Sequence, residues 1–430
     1  MTTLARYDHH MAHRESTLIL LTNTYPLSRG EEFLENEIDH VGRAFDQVVI
    51  IPIQAGPADV QTRAIPSNAQ VMHIARSSPR GLDRALAAVK GLVRLPPSGV
   101  DWAATRRQPR LLVSDAHFEA CAQTALDSIL AKLPNLRLTS ESHVTIYSFW
   151  LHITARTATL LAEQLRAQGV TVDRVISRAH RYDLYPSVAP RHHIPERRLL
   201  LQSLDGICPV SEQGTRELQT TWPQYAGKIH TRYLGTSDPG PTAHCRRDPF
   251  TIVSCAHLVP VKRMIRMPAI LARVRASGID ARWTHLGDGP QMDTLREEVT
   301  VHRVTDAVTL LGHVDNTQVM ATQRDLKPSV FVNLSSSEGL PVSMMEVASL
   351  GIPIIATGVG GVGEIVSSDN GHLLPAEFTD AQASDALVQL ARLSEDEYQQ
   401  VCQASRQVWE EKFRASVVYP EFCREVLGGR

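Results

Sequence analysis

The sequence predicts an α/β protein of two domains, each a series of βα units. Three observations carry this. The chain has 430 residues, too long for one ordinary core. Short apolar runs without alternation, TLILLTN from Thr17 and FTIVSCA from Phe250, read as strands buried on both faces of a parallel sheet. Helical patterns separate such runs, and the series restarts after a proline-rich polar segment, Asp238 to Pro249.

Composition narrows the class. A hydrophobic content of 43% and a charged content of 21% are globular values. Lys plus Arg is 44 and Asp plus Glu is 46, so a net charge of −2 argues against a general nucleic-acid binder. Six cysteines, Cys121, Cys208, Cys245, Cys255, Cys402 and Cys423, form no C-x-x-C pair and read as reduced thiols without a zinc site. The first residues lack the apolar core of a secretory signal, and His9, His10 and His13 read as part of a polar tail over 1–16. No apolar run is long enough to span a bilayer, so a cytoplasmic location is expected.

In chain order, a first domain spans 17–237. The strand Thr17 to Asn23 is followed by the loop TYPLSRG, and Glu31 to Ala44 reads as a helix with an acidic first turn. Val48 to Ile53 is the next strand, which places a ligand at the strands' C-terminal ends. Gly30 in that loop is either an ordinary turn glycine or part of a loop that closes on a ligand. The segment 76–142 is variable in character. Leu82, Leu86, Val89 and Val93 line one face of a helix flanked by Arg80, Arg84, Lys90 and Arg94, with Arg106, Arg107 and Arg110 beyond. Such a helix can pack on its own sheet with a solvated basic edge, or lie on an anionic membrane. The first reading is the simpler. Asp115 to Lys132 is a further helix. Strands follow at His143 to Tyr147 and Val172 to Ser177, the second running into RAHRYDLY. Arg178, His180 and Asp183 thus stand just past a strand end. Gly206 to Val210, Ser211 opening a helix, and Lys228 to Leu234 complete the domain.

The linker 238–249 leads to a second domain over 250–413. Its first loop, CAHLVPVKR, carries His257, Lys262 and Arg263, and a lysine there can meet a diphosphate as a point charge. The strand Arg282 to Leu286 ends in the turn GDGP at Gly287, and Val308 to Leu311 ends in Gly312-His313-Val314. Val330 to Leu334 is a buried strand. Glu338 and Gly339 then lead into a helix, with Leu340 and Pro341 at its start and Gly351 at its end. Free amides at such a helix start suit phosphate, and Gly339 lets a ligand approach the backbone. Glu338 and Glu346, separated by seven residues, would repel phosphate but can grip hydroxyls. A diphosphate between two polyhydroxy groups, a nucleotide sugar, fits this pattern. The strand Ile352 to Thr357 follows. Gly358, Gly360 and Gly363 then spell G-x-G-x-x-G, but too little chain follows for the helix of a dinucleotide site. Helices from Asp380 onward close the domain, and residues 414–430 form a last helix.

The run SSSEGLP, the E-x7-E pair and GIPIIAT-GVGG after it resemble the signature of retaining glycosyltransferases of the GT-B fold, family 4. The resemblance implies two Rossmann-like domains facing across a cleft, with the last helix crossing back to the first. It implies that Glu338 holds the donor sugar, Glu346 the ribose, and Lys262 with the backbone of Gly339, Leu340 and Pro341 the departing diphosphate. RAHRYDLY resembles a motif of one bacterial branch, which puts His180 at the reaction centre with Arg178 and Asp183 beside it; a loop histidine capping an element is the plain alternative. Gly287 would lie beneath the nucleotide, Gly312 and Val314 beside the base, and Gly30 in a loop over the phosphates or acceptor. His257 stands where arginine is usual, which leaves Arg263 as the residue to replace a second phosphate clamp. The implied activity is hexosyl transfer with retention, by front-side attack, from a nucleotide-sugar donor. The acceptor would be a carbohydrate or lipid-linked saccharide of envelope or exopolysaccharide synthesis, with contact to the inner-membrane surface. Neither metal nor other cofactor is implied. A soluble small-molecule glycosyltransferase or phosphorylase, and a non-catalytic nucleotide-sugar scaffold, are the alternatives.

Overall fold

A computed structural model describes residues 15–28, 30–56, 58–77, 83–240 and 248–430, with backbone only at 83–88. His9, His10, His13, Arg80, Leu82, Cys245 and part of the linker lie outside the described residues, as do the side chains of Arg84 and Leu86.

Each domain is built on a parallel six-stranded sheet. The first contains β1 (Ser16–Thr22), β2 (Gln47–Pro52), β3 (Ala69–Val71), β4 (His143–Ser148), β5 (Thr171–Ala179) and β6 (Gly206–Pro209). Its order is β3-β2-β1-β4-β5-β6. The second contains β7 (Phe250–Cys255), β8 (Ala281–Leu286), β9 (Val308–Leu310), β10 (Val330–Asn333), β11 (Ile354–Thr357) and β12 (Gly371–Leu374). Its order is β12-β11-β10-β7-β8-β9. Leu18 to Leu21, Val48 to Ile51 and Ile352 to Ile355 are almost wholly buried, as continuous apolar runs require in a sheet covered on both faces. Strand order reverses between β1 and β4 in the first sheet and between β7 and β10 in the second. The crevice of a doubly wound sheet opens at that point.

Three elements depart from the sequence reading. The helix expected over Glu31 to Ala44 is broken into a 3-10 turn, Glu32–Asn36, and a helix, Ile38–Ala44. Buried Glu31, at φ 60°, turns its carboxylate back to accept from the amides of Asn23, Thr24 and Tyr25 (each 2.8 Å) and from Trp150 Nε1. The last helix also splits, into Ala415–Glu421 and a π-helical turn, Phe422–Leu427. Pro420 lies inside it, where a missing N–H disrupts α-helical bonding.

The third departure reverses the simpler reading of the basic helix. Asp83–Arg94 packs on the helix Arg110–Leu130, not on the sheet. Contact runs through Gly91, where a Cβ would stand 1.8 Å from the Ala116 carbonyl oxygen. The apolar stripe faces outward instead: Val89 is 62%, Leu92 45% and Val93 87% exposed.

The C-terminal turn lies on the first sheet. Arg174 Nη1 donates to the carbonyls of Glu425 (2.7 Å) and Val426 (2.6 Å), and Thr145 Oγ1 to that of Leu427 (3.0 Å). Phe422, Cys423 and Leu427 join the core that also holds Leu18, Leu20 and Tyr147.

Candidate active site

The second domain assembles its site from the two loops that leave β7 and β10. Lys262 ends the turn Pro260–Lys262, and its Nζ lies 2.6 Å from Glu338 Oε1. Asn333, the last residue of β10, adds an amide to the same oxygen at 3.3 Å and accepts from the Ser335 amide at 3.0 Å. Glu338 is therefore oriented by a cation and an amide that come from the two strands beside the switch point. The helix Val342–Ser349 follows, with Pro341 just before its first residue. Two turns along, Glu346 reaches the cleft. Burial lifts its carboxyl to about 7, and that carboxylate has no hydrogen-bond partner among the described residues.

Glycines hold the neighbouring loops together. A Cβ on Gly287, at φ 137°, would stand 2.0 Å from the Ala256 carbonyl, and the Gly287 amide donates to Gly312 at 2.8 Å. On the other side, Gly360 at φ 58° brings the loop after β11 onto the Glu338 carbonyl, where a Cβ would come within 2.0 Å. The Gly361 amide donates to the Gly339 carbonyl at 2.7 Å. The G-x-G-x-x-G run thus clamps the Glu338 loop and then forms only a 3-10 turn, Gly360–Glu364, as its short continuation implied.

A cleft of about 1210 Å³ separates the domains. His257, Gly287, Val314, Val342 and Glu346 line it from the second domain, and Glu32, Phe33, Glu35 and Arg63 from the first. Arg63 anchors the loop after β1, donating to the carbonyls of Ser28 and Gly30 (2.6 Å each), with Gly30 at φ 101°. Burial raises the Glu35 carboxyl, against the pull of Arg63, 3.2 Å away. Sequence reasoning missed Arg63, which lies far along the chain in a proline-rich stretch.

His180 is buried among Phe33, Phe149 and Trp150, with ring centroids 5.6, 4.9 and 4.3 Å away. Burial first, then Arg178, holds its pKa well below the usual histidine value, so the ring is neutral and neither nitrogen has a hydrogen-bond partner. Phe33 stands between it and the open cleft lining. Its neighbour Arg181 makes a contact across the domains: Nε donates to Ser337 Oγ at 2.9 Å, beside Glu338. The Arg181 Cβ also lies 3.1 Å from where a Gly339 Cβ would be. The sequence reading singled out Arg178, His180 and Asp183 of RAHRYDLY and passed over Arg181 between them.

Three expected ligand contacts have other duties. Fully buried Arg178 donates to Tyr147 OH (2.6 Å) and the Arg232 carbonyl (2.7 Å), and pairs with Glu37 at 3.3 Å. Its guanidinium lies 4.0 Å from the Phe422 ring centre, so it braces the returning C-terminus. Asp183 is also buried. Its carboxylate accepts from the amides of His180 and Leu151 (2.6 Å each), which shapes the loop. Arg263 adopts φ 52° and donates to the carbonyls of Leu334 (2.7 Å), Ser335 (3.1 Å) and Ala376 (3.0 Å). With its guanidinium on those carbonyls, it braces the loop after β10 instead of replacing the absent arginine.

Two parallel sheets with their switch-point loops facing across one cleft define the GT-B class. The solved structures agree on the fold. The lipopolysaccharide outer core galactosyltransferase WaaB aligns at a TM-score of 0.65 and 14% identity, over 94% of this chain and 97% of that one. Sucrose-phosphate synthase from Thermosynechococcus elongatus aligns at 0.67 and 15%, over 95% and 98%. Residues 244–408 match the family described as glycosyl transferases group 1. Among curated relatives, the putative colanic acid biosynthesis glycosyltransferase WcaL of Escherichia coli K12 is 28% identical over 276 residues, 62% of this chain and 67% of the relative. N-acetyl-alpha-D-glucosaminyl L-malate synthase of Bacillus anthracis is 26% identical over 172 residues, 40% of this chain and 43% of that one.

Proposed function

We propose that the protein transfers a hexosyl group from a nucleoside-diphosphate sugar, with retention, to a lipid-linked or growing saccharide of envelope or exopolysaccharide synthesis. One observation carries the donor assignment. Glu338 is oriented by Lys262 beside the start of the very helix that delivers Glu346 to the cleft. In this reading Glu346 receives ribose hydroxyls and the amides at the start of that helix meet the diphosphate. Glu338 accepts from the sugar, and Lys262 steadies charge on the departing phosphate. The bond from the anomeric carbon to the phosphate oxygen breaks as the acceptor oxygen bonds on the same face. The acceptor proton passes to the leaving phosphate.

Two findings favour a membrane-borne acceptor. The outward residues Val89, Leu92 and Val93 share their helix with exposed Lys90 and with Arg94, which pairs with Asp127 at 3.5 Å, and exposed Arg106, Arg107 and Arg110 follow in sequence, a composition suited to an anionic lipid surface. The WcaL relative is named for colanic acid biosynthesis, a polysaccharide pathway. Among the described residues no helix is long and apolar enough to cross a membrane, so the contact proposed is peripheral. The test is donor turnover by Glu338→Ala. Transfer should fall at least about a hundredfold, a loss of roughly 3 kcal/mol in transition-state stabilisation, while calorimetric affinity for UDP, GDP, ADP and dTDP stays within a few-fold. Retained transfer in a correctly folded variant would remove Glu338 from the mechanism.

A further inference from the structure

Outside the cleft, the first domain holds a pocket of about 520 Å³ that the transfer chemistry does not use. Trp102, Trp222, Leu184 and Pro186 give it apolar walls, and Glu196 and Arg197 give it polar ones. Trp102 is 49% exposed, yet its ring is fixed by Nε1 donating to the Pro97 carbonyl at 3.1 Å. Arg197 is only 8% exposed. One of its amino groups donates to the Asp183 carbonyl, and the other, Nη1, is buried with no partner. Exposed Asp101, His192, Arg198 and Glu217 add an open polar rim to the same pocket.

The chemistry selects the ligand class. A pyranose has an apolar C–H face that packs on an indole and a rim of hydroxyls that both donate and accept. The fixed indole and the polar rim match those two halves. An aliphatic chain would leave that polar rim unmet. An anion would face Asp101 and Glu217 on the same rim. A neutral saccharide meets neither objection.

Its place in the fold suggests which saccharide. The helix Glu212–Thr221 starts at the domain contact, where the amides of Glu212 and Gln213 donate to Glu364 (2.8 and 2.9 Å), and ends at Trp222. Ten residues of helix span about 15 Å, so the pocket stands well away from the reacting end. It adjoins the loop that carries His180 and Arg181, because Arg197 is bonded to Asp183 of that loop. We propose that this pocket is a saccharide subsite that holds a remote sugar of the acceptor, and this rests on the transfer reading above.

The five tryptophans provide a direct readout through their indole N–H resonances. Maltohexaose, cellohexaose and laminarihexaose are the probes, added to the full chain without nucleotide. At least one should move the Trp102 and Trp222 signals at concentrations up to about 10 mM, with those of buried Trp283 and Trp409 unmoved. Trp102→Ala, at an exposed position, should weaken that binding about tenfold, and Trp102→Phe should restore most of it. Nucleotide affinity should stay unchanged in both variants. No indole shift with any of the probes overturns the proposal, as does a shift whose affinity ignores Trp102→Ala. Glycan shifts without any sugar-nucleotide turnover would leave the pocket standing and sink the transfer reading instead.

Discussion

Glu346 shows how a single buried carboxylate can oppose folding. Burial alone lifts it from 4.5 to about 7. An acid whose native pKa lies above its unfolded value takes up a proton on folding. Its drag on stability is therefore absent below about pH 4.5, grows as the pH rises, and levels off above about 7. Glu346→Gln should stabilise the protein at pH 8 by on the order of 1–3 kcal/mol and leave it unchanged at pH 4. Thermal unfolding at both pH values checks this. The same variant should bind nucleoside diphosphates about tenfold more weakly. In the parent protein, binding should weaken on acidification below pH 7, where the carboxyl must first ionise to accept ribose hydroxyls. A stability gain that is equal at pH 4 and pH 8 would show that the drag is not electrostatic.

Among the elements, the loop after β11 has a purpose that its glycine pattern conceals. Gly360 takes φ 58° and lies so close to the Glu338 carbonyl that a methyl group cannot be placed. Gly360→Ala should therefore cost roughly 2–4 kcal/mol in urea denaturation, from backbone strain and the displaced Glu338 loop together. Donor binding should weaken in parallel. A cost below about 1 kcal/mol would mean that the loop relaxes freely and does not support the site. The broken helix after β1 follows the same rule. Glu31 satisfies three loop amides and Trp150, and these bonds outweigh continuous helix over Glu31 to Ala44.

At the scale of the whole molecule, the two domains meet through polar contacts, Arg181 with Ser337 and Glu364 with the helix start at Glu212, and through an apolar cluster that joins Val210 and Leu234 to Leu340, Val362 and Phe413. The C-terminal turn rejoins the first sheet over Arg174 and Arg178. In the helix Asp83–Arg94, Val89, Leu92 and Val93 are exposed. The doubly substituted Val89→Asp, Val93→Asp should keep its melting temperature, since both positions are exposed. Its co-sedimentation with vesicles of phosphatidylglycerol and phosphatidylethanolamine should drop about tenfold, and the parent's binding should weaken with salt. Equal sedimentation of both proteins would assign the stripe elsewhere.

The sequence by itself determined what is local and periodic. Unbroken apolar runs could only be strands covered on both faces. The order of loops around Lys262, Glu338 and Glu346 followed from contiguous motif residues, as did the GT-B architecture they imply. Tertiary structure alone decided which polar groups face the ligand and which face the protein. Arg178, Asp183 and Arg263 stand in motif positions, yet each is drawn to buried carbonyls, amides or carboxylates, because an unsatisfied buried partner costs more than the residue gains by facing water. Arg63 and Arg181 reached the site through folds of the chain that no spacing announces. The stripe of the basic helix is the clearest case. Periodicity found the apolar face, but Gly91, by admitting the backbone of Ala116, decided that this face points outward.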